Sequence, residues 1–217
     1  MSGWRGWASG RRPWLPAVAW VLALVVVCVR WWGVMTGPWS PYDDLYGPSL
    51  RGFAPFLGGA VALYGVLPRA DWIDLQAVVS PQGRDTVAAA AVVVTFAAIP
   101  SLVRWLFTVS DFHTWFAPEN VQLNSARAFA LTGLEVAAVL GATCGMVGLV
   151  GRRFGPIAGL VCYAGLITIQ GYRLAPALIP RLGDPHSPWS YLGALLTVVL
   201  GLTAFRLSRS GTRPVIR

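Results

Sequence analysis

The sequence predicts an all-α, polytopic membrane protein with six transmembrane helices and with both termini in the cytoplasm. Apolar residues make up 55% of the 217 residues, and charged residues make up only 12%, about half the charged fraction of an average soluble domain. The apolar residues gather into runs of about 20, a length that crosses a hydrocarbon core of about 30 Å as a helix. Arginines gather at alternate connections between these runs, as the positive-inside bias requires.

The clearest element is a helical hairpin, in which two apolar segments are joined by Gly151-Arg152-Arg153-Phe154-Gly155. So short a joint allows only a tight turn between antiparallel helices. The adjacent arginines place this turn in the cytoplasm, which sets the direction of every other crossing. The whole chain, residues 1–217, is then one integral membrane domain, whose spans cover approximately residues 14–32, 51–67, 86–107, 127–150, 156–179 and 189–205.

The charge distribution supports this orientation and excludes one class of partner. With both termini inside, the cytoplasmic connections hold eleven of the arginines, and six are external or embedded. The net charge of +8 is spread over the ends of the spans rather than gathered in one patch, which argues against nucleic acid as a partner. The expected surroundings are the lipid bilayer of a cell membrane, for a bacterial protein the cytoplasmic membrane.

The amino-terminal residues 1–13 are basic and aromatic, which suits contact with an anionic leaflet. Arg11-Arg12 ahead of an apolar run also resembles a twin-arginine export signal. No A-x-A-like cleavage site follows the end of that apolar run, so we expect the segment to be retained as the first span.

Neither a metal site nor a catalytic site is predicted. The second external segment holds Asp111, His113 and Glu119, but it offers no second histidine at a ligand spacing. The three cysteines all lie in apolar runs, without metal-ligand or disulfide-framework spacing. Signatures of hydrolases, zinc peptidases and nucleotide-binding loops are missing from the sequence. We therefore expect no cofactor and no enzymatic activity.

The deepest charges predict a candidate intramembrane polar site formed by Glu135, Gln170 and Arg173. Glu135 and Arg173 lie at similar depths below the outer ends of the two hairpin helices. A charge at that depth needs a partner or water. Two interpretations stay open: a buried ion pair that fixes the helix register, or a polar group that lines a substrate path.

The only long cytoplasmic connection, residues 70–85, contains a predicted short amphipathic helix that starts at Asp71. It either connects two spans along the membrane surface or serves as a docking surface for a cytoplasmic partner. The candidate docking residues are Asp71, Trp72, Asp74, Leu75 and Gln76.

This arrangement resembles the membrane subunits of ATP-binding-cassette exporters of the type-2 permease class. The resemblance rests on six spans, on the tight basic turn after span four, and on the segment Trp72-Ile73-Asp74-Leu75-Gln76-Ala77-Val78-Val79-Ser80-Pro81 followed by Arg84. It implies an export function, a docked separate ATP-binding subunit, and a translocation path formed by two copies or by one copy with a related subunit.

Two other functions compete with an exporter subunit. One is a non-enzymatic membrane anchor or assembly component that uses glycine faces, since Gly133, Ala137, Gly141 and Gly145 are spaced by four on span four. The other is a membrane-embedded enzyme.

Overall fold

The computed structural model describes residues 11–29, 50–67, 82–109, 126–151, 154–171 and 188–209. These residues form helices and no strand occurs among them, so the predicted all-α class is confirmed. The helices are α1 (Trp14–Val29), α2 (Leu50–Val66), α3 (Gln82–Ala97), α4 (Ile99–Val109), α5 (Ala126–Val150), α6 (Gly155–Gly171) and α7 (Pro188–Arg209).

Several of these helices suit a membrane. Three helical stretches are long and apolar enough to cross one: Gly83–Val109, Thr132–Val150 and Tyr191–Ser208. Three shorter apolar helices accompany them: Trp14–Val29, Gly52–Val66 and Gly155–Gly165. Large apolar side chains also cover the outward surfaces; on α7, for example, Leu192 is 57% and Leu196 58% exposed. Such a surface matches hydrocarbon better than water.

α1 packs antiparallel against α2 through two glycines. A Cβ atom built on Gly58 would lie 3.1 Å from the Ala23 Cβ, and one on Gly65 would lie 2.9 Å from the Leu15 Cβ. Residue numbers therefore rise along one helix as they fall along the other. The amide of Arg12 donates to the Gly65 carbonyl at 3.1 Å, which ties the start of α1 to the end of α2.

α3 and α4 form one apolar rod with a break at Ala98. Pro100 has no amide hydrogen, so the helical hydrogen bond to the Phe96 carbonyl is lost there. The amide of Ala98 donates to Val94 at 3.0 Å and that of Leu102 donates to Ala98 at 2.9 Å, so the helix continues on both sides of the break.

α3 begins at Gln82, ahead of the span predicted at 86–107, and Asp85 lies in its first turn. The sequence predicts a connection up to Asp85, because Ser80-Pro81-Gln82-Gly83 has the composition of a turn. An acidic residue in the first turn is favoured by the partial positive charge of the helix amino terminus. Asp85 is therefore a helix residue rather than a loop residue.

α5 and α6 form the hairpin. Gly151 ends α5 with a φ of 95°, a conformation that glycine adopts without strain. The amide of Gly155 then donates to the Gly151 carbonyl at 2.8 Å. A Cβ atom on Gly155 would collide with Val147, and one on Gly159 would collide with Thr143. The two helices are consequently in close antiparallel contact.

α7 packs parallel to α5, again through glycines. A Cβ atom on Gly141 would lie 2.6 Å from the Val198 Cα, and one on Gly145 would lie 3.3 Å from the Gly201 Cα. Residue numbers increase together along both helices, so their ends lie at the same end of the bundle. α5 thereby contacts α6 on one side and α7 on another.

Large buried side chains fill the space between the helices. The side chains with less than 2% of their surface exposed include those of Phe56, Phe96, Ile99, Leu140 and Phe205. They come from α2, α3, α4, α5 and α7, so these helices share one core.

The helix directions bring several arginines to one end of the bundle. The starts of α1 and α3 and the ends of α2, α5 and α7 lie at this end, which holds Arg11, Arg12, Arg84 and Arg206. A Cβ atom on Gly148 would lie 3.1 Å from the Ser208 hydroxyl, which confirms that α5 and α7 end together. We refer to this end as the basic end and to the opposite one as the far end.

Candidate functional site

Only part of the predicted polar site falls within the described residues. Glu135 lies in α5, and only the backbone of Gln170 is described, in α6. Arg173 lies outside the described residues, so its pairing with Glu135 stays a prediction. The predicted docking residues also lie outside them: Asp71, Trp72, Asp74, Leu75 and Gln76. Both flanks of that segment are described, Leu67 after α2 and Gln82 at the start of α3.

Glu135 continues the row of α5 positions that contact α6. In the hairpin, Gly155 contacts Val147 and Gly159 contacts Thr143. Each step of four residues forward along α6 therefore corresponds to a step of four residues backward along α5. From the contact between Thr143 and Gly159, this register places position 167 level with Glu135, and Tyr163 one helical turn away. The Glu135 carboxylate and the Tyr163 side chain are close enough to interact electrostatically.

Tyr163 belongs to a group of three aromatic side chains from α2 and α6. The ring centroids of Phe56 and Tyr163 are 4.7 Å apart, and those of Phe53 and Tyr163 are 6.2 Å apart. Both distances are typical of favourable aromatic pairs. Phe56 and Tyr163 are buried, whereas Phe53 is half-buried. We refer to Phe53, Phe56 and Tyr163 as the aromatic cluster.

Among the described residues, no side chain pairs with or hydrogen-bonds to Glu135. Glu135 is half-buried and lies inside the apolar stretch Thr132–Val150. An ionised carboxylate in such apolar surroundings costs several kcal/mol unless a cation, a donor or water stabilises it. The position can therefore accept a proton or a positively charged group.

A second polar arrangement lies at the basic end and was not predicted. Arg11 Nη2 donates to Asp85 Oδ1 at 2.6 Å, and the two side chains are 3% and 0% exposed. The sequence places Arg11 on the membrane surface and Asp85 in a connection, and the two residues are 74 positions apart. One feature of the sequence could have indicated this ion pair. Asp85 borders a long apolar run, where an unpaired acid is unfavourable.

Together, Arg11 and Arg12 hold both flanks of the predicted docking segment. The Arg12 amide binds the Gly65 carbonyl near the end of α2, and the Arg11 guanidinium binds Asp85 in the first turn of α3. We refer to these two contacts as the Arg11-Arg12 clasp. Because residues 68–81 connect the two flanks, the clasp links the ends of this segment to the start of α1.

Arg104 lies in α4, towards the far end of the bundle. Its guanidinium carbon lies 5.8 Å from the centre of the Phe129 ring, a cation–π distance. Its Nε atom is buried and has no hydrogen-bond partner among the described residues. The sequence predicts an interface residue at the outer end of span three, and the structure turns this side chain towards α5.

The described residues contain no group of three or more histidine, cysteine, aspartate or glutamate side chains that would hold a metal ion. Asp111, His113 and Glu119 lie outside the described residues. All three cysteines have free thiols.

No protein-family model matches this chain, and no curated protein or solved structure is significantly similar to it.

Proposed function

We propose that this chain is the membrane-spanning subunit of an export system driven by a separate ATPase, and that it crosses the cell membrane six times with both termini in the cytoplasm. The alternating directions of the apolar helices support this topology. The arginines gathered at the basic end support its orientation, because basic residues are enriched on the cytoplasmic side.

The observation that carries the proposal is the position of residues 68–81 between two flanks held by the clasp. A partner that drives transport must pass its movement from a cytoplasmic connection to the spans. In this chain, the connection is tied to α1 as well as to α2 and α3. A displacement of the docked segment would therefore act on three helices at once.

The translocation path requires more than one chain under this proposal. Large apolar side chains cover the outward faces of α1 and α7, so these faces suit lipid or a second membrane subunit. Two copies, or one copy with a related subunit, would enclose the path. Glu135, which lies inside the apolar stretch Thr132–Val150, would lie along it.

The competing proposal of an assembly component that works through glycine faces has less support. Gly133 lies against the Ala97 carbonyl, Gly141 lies against Val198, and Gly159 lies against Thr143. These faces are filled by helices of the same chain. Among the described helix glycines, Gly83, Gly165 and Gly193 face open space, and these positions could still meet a partner.

Affinity purification from native membranes tests the proposal. We expect an ATPase to co-purify, and we expect Trp72→Ala with Leu75→Ala to reduce its recovery. Val161→Ala, on the exposed face of α6, is the matched control and should leave recovery unchanged. If no ATPase co-purifies, or if the ATP hydrolysis of a co-purified ATPase does not depend on this chain, the proposal is wrong.

A further inference from the structure

We propose that Glu135 and the aromatic cluster form a binding site for a lipophilic monovalent organic cation, an inference that rests on the proposed export function and names its substrate class. The site lies where α2, α5 and α6 meet. Glu135 comes from α5, Phe53 and Phe56 from α2, and Tyr163 from α6.

The carboxylate supplies the charge selectivity. Glu135 lies inside an apolar helical stretch, and no described side chain compensates its charge. In such surroundings an ion pair is much stronger than in water, because the effective dielectric constant is low. A bound cation would remove the cost of the buried carboxylate, whereas an anion would add to it.

The rings supply a second feature that selects a cation. The face of an aromatic ring carries partial negative charge and attracts a cation within about 6 Å. Tyr163 lies one helical turn from the level of Glu135, and Phe53 and Phe56 lie against it. Phe53 is only half-buried, so the cluster is accessible from its side.

The surroundings also determine the charge and polarity of the ligand. One carboxylate balances one positive charge, and a metal ion would need further oxygen, nitrogen or sulfur ligands. No group of metal-ligating side chains occurs in the described part of the chain. The neighbouring Val136 and Val139 are buried and apolar. The fitting ligand is thus a single delocalised or quaternary charge on an apolar body.

Tetraphenylphosphonium is a suitable probe, and its binding to the purified chain in lipid nanodiscs can be measured by equilibrium dialysis against empty nanodiscs. We expect saturable binding to the wild type. Glu135→Gln should weaken it by about tenfold, or about 1.4 kcal/mol, because it removes the negative charge that balances the cation. Glu135→Asp keeps the charge and should keep most of the affinity. Tetraphenylborate has the same shape and the opposite charge, and it should not bind saturably.

A separate variant tests whether the aromatic cluster contributes to cation binding. Phe53→Leu removes the ring and keeps an apolar side chain, and we expect it to weaken binding about threefold. The elution profile of each variant in size-exclusion chromatography shows that it is folded. Equal binding by the wild type and Glu135→Gln, or binding no stronger than to empty nanodiscs, would overturn the proposal.

These measurements do not require an ATPase. Saturable cation binding without a co-purifying ATPase would leave this site standing and would remove the proposed export function. Co-purification of an ATPase without cation binding would leave the proposed export function standing and would remove this binding site.

Discussion

The side chains of Arg11 and Asp85 form a buried ion pair at 2.6 Å between the segment that precedes α1 and the first turn of α3. The pair lies beside the hydrogen bond from Arg12 to Gly65, so three helices meet at this point. A buried pair of this kind stabilises a particular arrangement of helix ends, because removing one partner leaves the other charge buried and uncompensated.

Loss of either partner should destabilise the protein. We expect Arg11→Gln and Asp85→Asn each to lower the free energy of unfolding by about 3 kcal/mol, the range measured for broken buried pairs. Unfolding in mixed micelles, followed by circular dichroism, measures this change. Arg12→Gln is the matched control, since the Arg12 side chain is exposed and only its backbone makes the described contact. Equal effects of Arg11→Gln and Arg12→Gln would contradict the importance of the pair.

The contact between α5 and α7 should not tolerate a side chain at Gly141. A Cβ atom there would lie 2.6 Å from the Val198 Cα, so Gly141→Ala must push the two backbones apart. We expect a loss of about 2 kcal/mol, within the range found for overpacked interiors. Gly193→Ala is the matched control, because a Cβ atom on Gly193 meets nothing within 4 Å. It should leave the free energy of unfolding, measured in the same micelles, unchanged.

Thiol labelling tests the orientation of the bundle. Arg12 lies at the basic end and Val109 at the far end, and both are exposed. In a variant whose natural cysteines are replaced by alanine, a membrane-impermeant maleimide should label Val109→Cys in intact cells. It should label Arg12→Cys only after the cells are opened. The opposite pattern would place the basic end outside and would contradict the proposed topology.

A charge exchange tests whether Glu135 pairs with Arg173. Glu135 is level with position 167 of α6 in the hairpin register, and no described side chain compensates its charge. We therefore expect Glu135→Arg combined with Arg173→Glu not to restore the cation binding that Glu135→Gln loses. Recovery of binding in the double variant would show instead that the two residues act as a structural ion pair.

The helices were predictable from the sequence because apolar runs and their interruptions are local features. The hairpin follows from two apolar segments with only Gly151-Arg152-Arg153-Phe154-Gly155 between them, and the positive φ of Gly151 is the conformation that such a turn requires. The start of α3 was harder to predict, because Gln82 and Gly83 are typical turn residues although they lie in the helix.

The contacts between helices were not predictable in the same way. The spacing of Gly141 and Gly145 indicates a face for close packing, but it does not indicate which helix fills it, and here α7 of the same chain does. The partner of Arg11 lies 74 residues away, so no local pattern reveals it. The aromatic cluster combines α2 and α6, two helices that the chain order separates.

The distance along the chain between Arg11 and Asp85 also has a consequence for biosynthesis. When α2 leaves the ribosome, Asp85 is still inside the exit tunnel, so the Arg11 guanidinium cannot yet pair with it. The amino-terminal segment can take its final position only after the start of α3 has emerged. The pair thus makes α3 a requirement for completing the packing of α1 and α2, and a nascent chain that ends before Asp85 would leave Arg11 without this partner.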